Sequence, residues 1–290
     1  MFHDTHAHLD HLLQRLGKLP NNKDLNLENG IISRISEFEM DKVFVEDLIS
    51  MYDFVIHPTI SSDNFWLAYS LFHSFRNIYF LLGTHPEVVN EKFNITSYLD
   101  KQRDLVVKIE SDKKMSEKLI GIGEVGLDYH YTQDQKLIQT QIGLFEEQIR
   151  LSIKLKLPIV IHCRKAFDDL FSVLNEYPEI HGHFLIHCYT ESVDVLRKVL
   201  DLGGKIGIGG IVTYKSATDL QNAIKFCPND SFMLETDLPF LAPHPKRGEV
   251  CVPDMIRLVA EKMAELKNLD NQKIWDLSLQ NSRRLFGQYL

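Results

Sequence analysis

Two short runs, "LIGIGEVG" at residues 119–126 and "PIVIHC" at 158–163, decide how this chain is read. Each is apolar on nearly every residue rather than on alternate ones. That is the pattern of a parallel strand buried on both faces. Each also ends in a side chain able to bind a proton or a cation, Glu124 in the first and His162 in the second. Between them, Leu137, Gln141, Leu144, Phe145, Gln148, Ile149 and Ile153 recur at helical spacing, which predicts one long helix over about 135–156.

The same kind of run occurs six more times. The others are "MFHDTH" (1–6), "FVIHP" (54–58), "IYFLLGTHP" (78–86), "HFLIHC" (183–188), "GKIGIGG" (204–210) and "SFMLETD" (231–237). Helical patterns separate most of them. Eight strand–helix repeats predict an α/β fold, a closed (β/α)8 TIM barrel, with the whole of 1–290 as a single domain. A doubly wound open sheet is the alternative. It would more often carry a Gly-rich phosphate loop after its first strand, and none is present. Residues 13–40, including "GKLPNNKDLNLENG" (17–30), break the rhythm and read as an extended polar insertion on the rim after strand one.

Composition narrows the function. The 290 residues are 44% hydrophobic and 25% charged, ordinary for a globular protein, with a net charge of −8. That balance argues against a broadly basic nucleic-acid-binding surface but leaves room for a local basic site. No apolar run is long enough to span a membrane, and "MFHDTH" lacks the basic start and apolar core of a signal peptide. Cys163, Cys188, Cys227 and Cys251 form no C-x-x-C pair, so reduced thiols in a cytoplasmic protein are expected. Nothing calls for a membrane or an obligate protein partner, and a monomer is expected.

The polar residues at the strand ends carry the chemistry. Strand one ends in His6 and His8, strand four in Glu124, strand five in His162, strand six in His187 and strand eight in Asp237. In a barrel all six lie at one face near the axis. His6 and His8 are two apart, so on an extended strand they point the same way. A lone histidine at a strand end is more often a hydrogen-bonded structural residue than a ligand. Four imidazoles and two carboxylates converging on one volume suit two divalent metals, because such groups buried together need cations as partners.

With these residues in place, the chain resembles the TatD family of metal-dependent hydrolases, among the amidohydrolase-like barrels. The matching stretches are "DTHAHLD" (4–10), "GTHP" (83–86), "GEVGLDYH" (123–130), "QIGLFEEQIRLSIKLKLPIVIHCRKA" (141–166), "IHCYT" (186–190), "IGIGGIVTYKSA" (206–217), "LETDLPFLAP" (234–243) and "NSRRLF" (281–286). The resemblance implies that His6, His8, Glu124 and Asp237 hold one metal. Glu124 then bridges to a second, completed by His162 and His187. Four positions depart from the family pattern: Lys165, Glu191, Cys251 and Val252. They fall where substrate is expected, not on a ligand.

The resemblance implies a metal-dependent deoxyribonuclease, a 3′–5′ exonuclease. Two metals would activate a water and stabilise both oxygens of an in-line displacement. Glu124 and Asp237 are the expected catalytic carboxylates, with Asp237 able to take a proton as well as to ligate. Mg, Mn or Zn is expected, with Ni or Fe also suited to the donor set. Arg164, Lys215 and Arg247 are expected to meet phosphate, His85 to contact substrate, and Tyr129 and Tyr189 to stack on a base of a DNA substrate. A phosphatase, amidohydrolase or lactonase on the same site is the first alternative. A non-catalytic metal-stabilised scaffold is the second.

Overall fold

The computed structural model of the chain describes residues 2–20, 41–287 and 290. Eight strands run in chain order: β1 (Phe2–Asp4), β2 (Tyr52–His57), β3 (Ile78–Leu82), β4 (Leu119–Asp128), β5 (Ile159–Arg164), β6 (Phe184–Ile186), β7 (Lys205–Ile208) and β8 (Phe232–Leu234). Each pairs with the next in parallel, giving one sheet of order β1 to β8. The sheet closes on itself beyond the named strands. Thr5 N–H donates to Leu234 O at 3.2 Å, Asp237 N–H to His6 O at 2.9 Å, and Ala7 bridges to Leu238 in parallel. The fold is the expected (β/α)8 barrel.

Among the described residues the helices are α1 (Leu9–Arg15), α2 (Lys42–Ile49), α3 (Ser62–Phe72), α4 (Ile95–Ser111), α5 (Lys113–Lys118), α6 (Gln135–Leu155), α7 (Phe167–Glu176), α8 (Val193–Asp201), α9 (Thr218–Phe226), α10 (Ile256–Lys267) and α11 (Asn271–Phe286). Helix α6 matches its sequence pattern almost to the residue. Asp134 caps its start, accepting from the backbone of Lys136 and Leu137, and Lys156 in the left-handed region (φ 55°) ends it. Its buried face carries Ile138, Gln141, Leu144, Phe145, Gln148, Ile149 and Ser152.

Two expectations need correction at the start of the chain. Strand β1 stops at Asp4, so His6 and His8 stand in the turn that follows it, not on the strand. The supposed insertion also begins too early, because residues 13–15 belong to α1. Leu9, Leu12 and Leu13 give that helix a buried apolar face, and burial outweighs the polar composition of the stretch after it. Residues 21–40 of the insertion lie outside the described residues.

The barrel interior is divided. At the end where strands begin, Phe54, Ile56, Leu81, Ile120, Val160, Leu185 and Met233 pack with Leu285 and Phe286 of α11 into a separate apolar cluster. Two residues beyond Val160 and Leu185, on the same faces, come His162 and His187. Strand β4 adds an irregularity, since its register against β5 shifts between Ile122 and Val125, around Glu124. Such bulges re-aim a side chain. Thr59 holds the spot, its carbonyl accepting from Glu124 N–H at 3.0 Å. Gly83 lies so close that an added Cβ would sit 2.3 Å from the Gly123 carbonyl carbon, so β3 must be followed by a glycine for β4 to bulge there.

Candidate metal centre

All six sequence-selected residues meet at the C-terminal mouth of the barrel. The geometry turns on Glu124, which is 3% exposed and presents its two oxygens to two different groups. Oε2 lies 3.2 Å from His6 Nε2 and 3.5 Å from His8 Nε2. Oε1 lies 2.7 Å from His187 Nε2, 3.0 Å from His162 Nδ1 and 3.3 Å from His85 Nε2. Asp237 Oδ1 closes the first side, 3.8 Å from His6 Nε2 and 3.6 Å from His8 Nε2. On the second side His162 Nδ1 and His187 Nε2 face each other at 3.3 Å.

This donor set fits divalent cations. Imidazole nitrogens and carboxylate oxygens from several strands point at common centres. The sets His6–His8–Glu124 and His6–His187–Asp237 each bring their donor atoms within 4.8 Å. Two inward nitrogens 3.3 Å apart cannot both turn a lone pair to the other without a proton or a cation between them.

Electrostatics agree. Burial and the His187 charge beside it push His6 well below its usual range. Burial would also lower His8 and His162, but the adjoining carboxylates lift each to about 9: Glu124 and Asp237 beside His8, Asp128 and Glu124 beside His162. Burial works to raise Glu124, yet His187, His85 and His162 hold it well below the usual carboxylate range. The cluster therefore gathers protons around an ionised Glu124, and a bound cation would displace them. Burial leaves Asp237 above its usual value.

Backbone constraints position these side chains. Asp237 sits at φ 57°, a conformation seldom taken by a residue other than glycine. It is held by its N–H to His6 O and by Phe240 N–H donating to its carbonyl at 2.9 Å. Below it, Asp4 ties the two ends of the barrel seam together. Its carboxylate accepts from His6 N–H at 3.1 Å, Thr236 N–H at 3.1 Å and Thr236 Oγ1–H at 2.6 Å. Burial lifts the Asp4 carboxyl to about 7 against those hydrogen bonds. Strand-end reasoning on the sequence misses Asp4. The available signal is its place two residues before His6 in "DTH".

His85 takes a more specific place than expected. The Glu87 N–H donates to His85 Nδ1 at 3.1 Å, so in the neutral ring Nε2 carries the proton, aimed at Glu124 Oε1. In that arrangement His85 is a donor into the centre and not a ligand.

The centre opens into a cleft of about 600 Å³. Of the expected substrate contacts, His85 and Arg164 line it, whereas Lys215 and Arg247 are exposed but lie outside it. The Arg247 guanidinium instead covers the Tyr214 ring at 4.7 Å. The aromatic expectations need correcting. Tyr189 is 2% exposed, its hydroxyl donating to Ser192 O at 2.6 Å, so it packs in the core. Tyr129 is half-buried and donates to Asp169 at 2.8 Å, away from the cleft. The exposed ring at the mouth is Tyr131, 79% exposed, with the Arg164 guanidinium 5.5 Å from its centre. Phe240 lines the opposite wall beneath Arg15 at 5.2 Å.

A closed parallel barrel with a histidine–carboxylate cluster at its C-terminal mouth is suited to divalent-metal chemistry. A family profile described as TatD related DNase matches residues 3–287, and the chain belongs to that family. It is 32% identical over 286 residues to the uncharacterized metal-dependent hydrolase YabD of Bacillus subtilis, covering 99% of each chain. It is 34% identical over 210 residues to the uncharacterized metal-dependent hydrolase YcfH of Escherichia coli, covering 72% of this chain and 74% of that one. The crystal structure of the TatD homolog YjjV from Escherichia coli superposes with a TM-score of 0.76 at 25% identity, covering 98% and 97%. No helix among the described residues is long and apolar enough to cross a membrane.

Proposed function

We propose that the chain hydrolyses phosphodiester bonds at DNA ends, as a 3′–5′ exodeoxyribonuclease with two divalent ions. The observation that carries this reading is the division of Glu124, with Oε2 toward His6 and His8 and Oε1 toward His162 and His187. On this reading His6, His8, Asp237 and Glu124 would hold one ion, and Glu124, His162 and His187 would hold the other. Such ions supply Lewis acidity, activating water and neutralising phosphate charge. Mg or Mn suits a phosphate substrate, and Zn suits the nitrogen donors.

The remaining roles belong to the chain's own groups. Arg164 at the mouth takes a phosphate of the strand. His85 Nε2–H, its other nitrogen accepting from Glu87, faces Glu124 Oε1 and can share its hydrogen bond with a phosphoryl oxygen beside it. Asp237, raised by burial, accepts a proton near the centre. Tyr131 and Phe240 offer rings on opposite walls of the cleft for the bases on either side of the bond. All these groups come from one chain, so the site needs no second copy.

The test is cleavage of end-labelled single- and double-stranded DNA with Mg, Mn or chelator. A ladder of products that needs metal and retains the 5′ label supports the reading. Intact DNA with every metal, alongside turnover of a phosphomonoester, amide or lactone, would replace it with a different hydrolase. Tyr131→Ala is expected to raise KM for an oligonucleotide about 10-fold with little change in kcat, stacking being worth about 1–3 kcal/mol per base.

A further inference from the structure

An imidazole that donates through one nitrogen leaves the other as its ligand atom, so a ring's outer partner decides what it offers inward. The histidines of the centre differ in this respect. The outer Nδ1 atoms of His6 and His187 are buried with no hydrogen-bond partner, and the nearest carboxylate to His187 Nδ1 is Glu235 Oε1 at 3.8 Å. His162 is reversed and supported. Its Nδ1 faces Glu124, and its Nε2–H donates to Asp128 Oδ2 at 3.1 Å.

Asp128 is built to do this. It ends β4, four residues after Glu124, opposite Arg164 in the pairing with β5. Gln141 of α6 clamps its backbone from both sides, accepting from Asp128 N–H at 2.9 Å and donating to Asp128 O at 3.1 Å. His130 N–H occupies Oδ1 at 2.8 Å, which leaves Oδ2 for the ring of His162. A carboxylate with its backbone clamped and one oxygen committed has little freedom to turn away.

We propose that Asp128 is the positioning residue that makes Nδ1, not Nε2, the inward-facing atom of His162, and so sets the affinity of the ion position shared by His162, His187 and Glu124 Oε1. This rests on the two-ion reading above. It predicts that the two positions respond unequally to one substitution outside the donor set.

The experiment titrates Mn²⁺ into chelator-stripped full-length protein, comparing wild type with Asp128→Ala and Asp128→Asn. Asp128→Ala is expected to weaken one of the two sites by about 10- to 100-fold. The other site should stay within about 3-fold, and Asp128→Asn, whose single oxygen must serve both His130 N–H and His162 Nε2–H, should fall between Asp128→Ala and wild type. Histidine ¹⁵N spectra of the Zn²⁺-loaded protein give a second readout that does not depend on activity. In wild type, His162 should show a proton on Nε2 and Nδ1 bound. The proposal is overturned if Asp128→Ala leaves both affinities unchanged, weakens both equally, or if wild-type His162 binds through Nε2. Should Asp128→Ala fail to fold, the wild-type spectra decide alone, and His162 bound through Nε2 would overturn it. A wild type that binds a single ion would refute the two-ion reading instead, so the two failures are separable.

Discussion

The two ends of the barrel interior are made by the same strands yet obey different physics. At the closed end, Val160 of β5 and Leu185 of β6 meet Met233, Phe54 and the α11 residues Leu285 and Phe286, and they are held by apolar burial alone. Two residues on, the same faces carry His162 and His187, both against Glu124. The first end is satisfied by what it excludes. The second holds like-charged and lone-pair groups together and is complete only with a partner. Stability should therefore reside at one end and activity at the other.

The largest expected effect comes from breaking the mouth. Glu124→Ala removes the group shared by both halves of the centre, and turnover should fall by more than about 100-fold, beyond the loss typical of an outer partner. Metal content measured on the same protein should fall with it. If the variant keeps its metal and full turnover, the division between the two ends is wrong.

Breaking the closed end should do the reverse. Leu185 is fully buried, and Leu185→Ala should cost about 2–5 kcal/mol in urea unfolding, through lost transfer energy and the cavity left behind. Turnover per folded molecule should stay close to wild type. A large loss of activity at unchanged stability would show that the two ends are not separable.

The smallest effect sharpens the contrast by pH. His3 stands near the closed end, its Nε2 2.7 Å from Ser278 Oγ and its ring 5.1 Å from Phe54. Burial lowers it to about 3. The folded protein thus keeps His3 neutral, while an unfolded chain takes up a proton below about 6.5. The stability it contributes is intact above that pH and is lost as pH falls toward 3, with a slope up to about 1.4 kcal/mol per pH unit. In His3→Gln this component should vanish, visible as a shallower loss of stability between pH 6 and about 4. Equal slopes would mean that His3 titrates alike in both states.

Much of this is legible in the unfolded chain. The eight apolar runs stand out because parallel strands covered on both sides cannot alternate, and helix α6 stands out because one face of it is apolar at helical spacing. The six ion-binding candidates are legible for a related reason, since each stands in or just after such a run, toward the barrel face where active sites gather, although Glu124 lies within β4 and His6 and His8 follow β1. Helix α1 is hidden by the polar residues after it. Its few apolar positions become decisive only when the barrel offers them a surface. Tyr129, Tyr131 and Tyr189 look alike in the sequence, and which one reaches the cleft depends on turns whose directions no local pattern states.

The sequence by itself determined the strand count, the barrel and the set of residues that meet at its mouth, because burial periodicity and strand polarity are local properties summed along the chain. Tertiary structure alone decided which oxygen of Glu124 faces which histidine, that Asp128 stands behind His162, and that His85 points a proton inward. Those choices rest on the bulge at Glu124, on the register of β4 against β5 and on single hydrogen bonds between segments far apart in the chain. A hydrogen bond changes with tenths of an ångström, and only the closed barrel sets distances that finely.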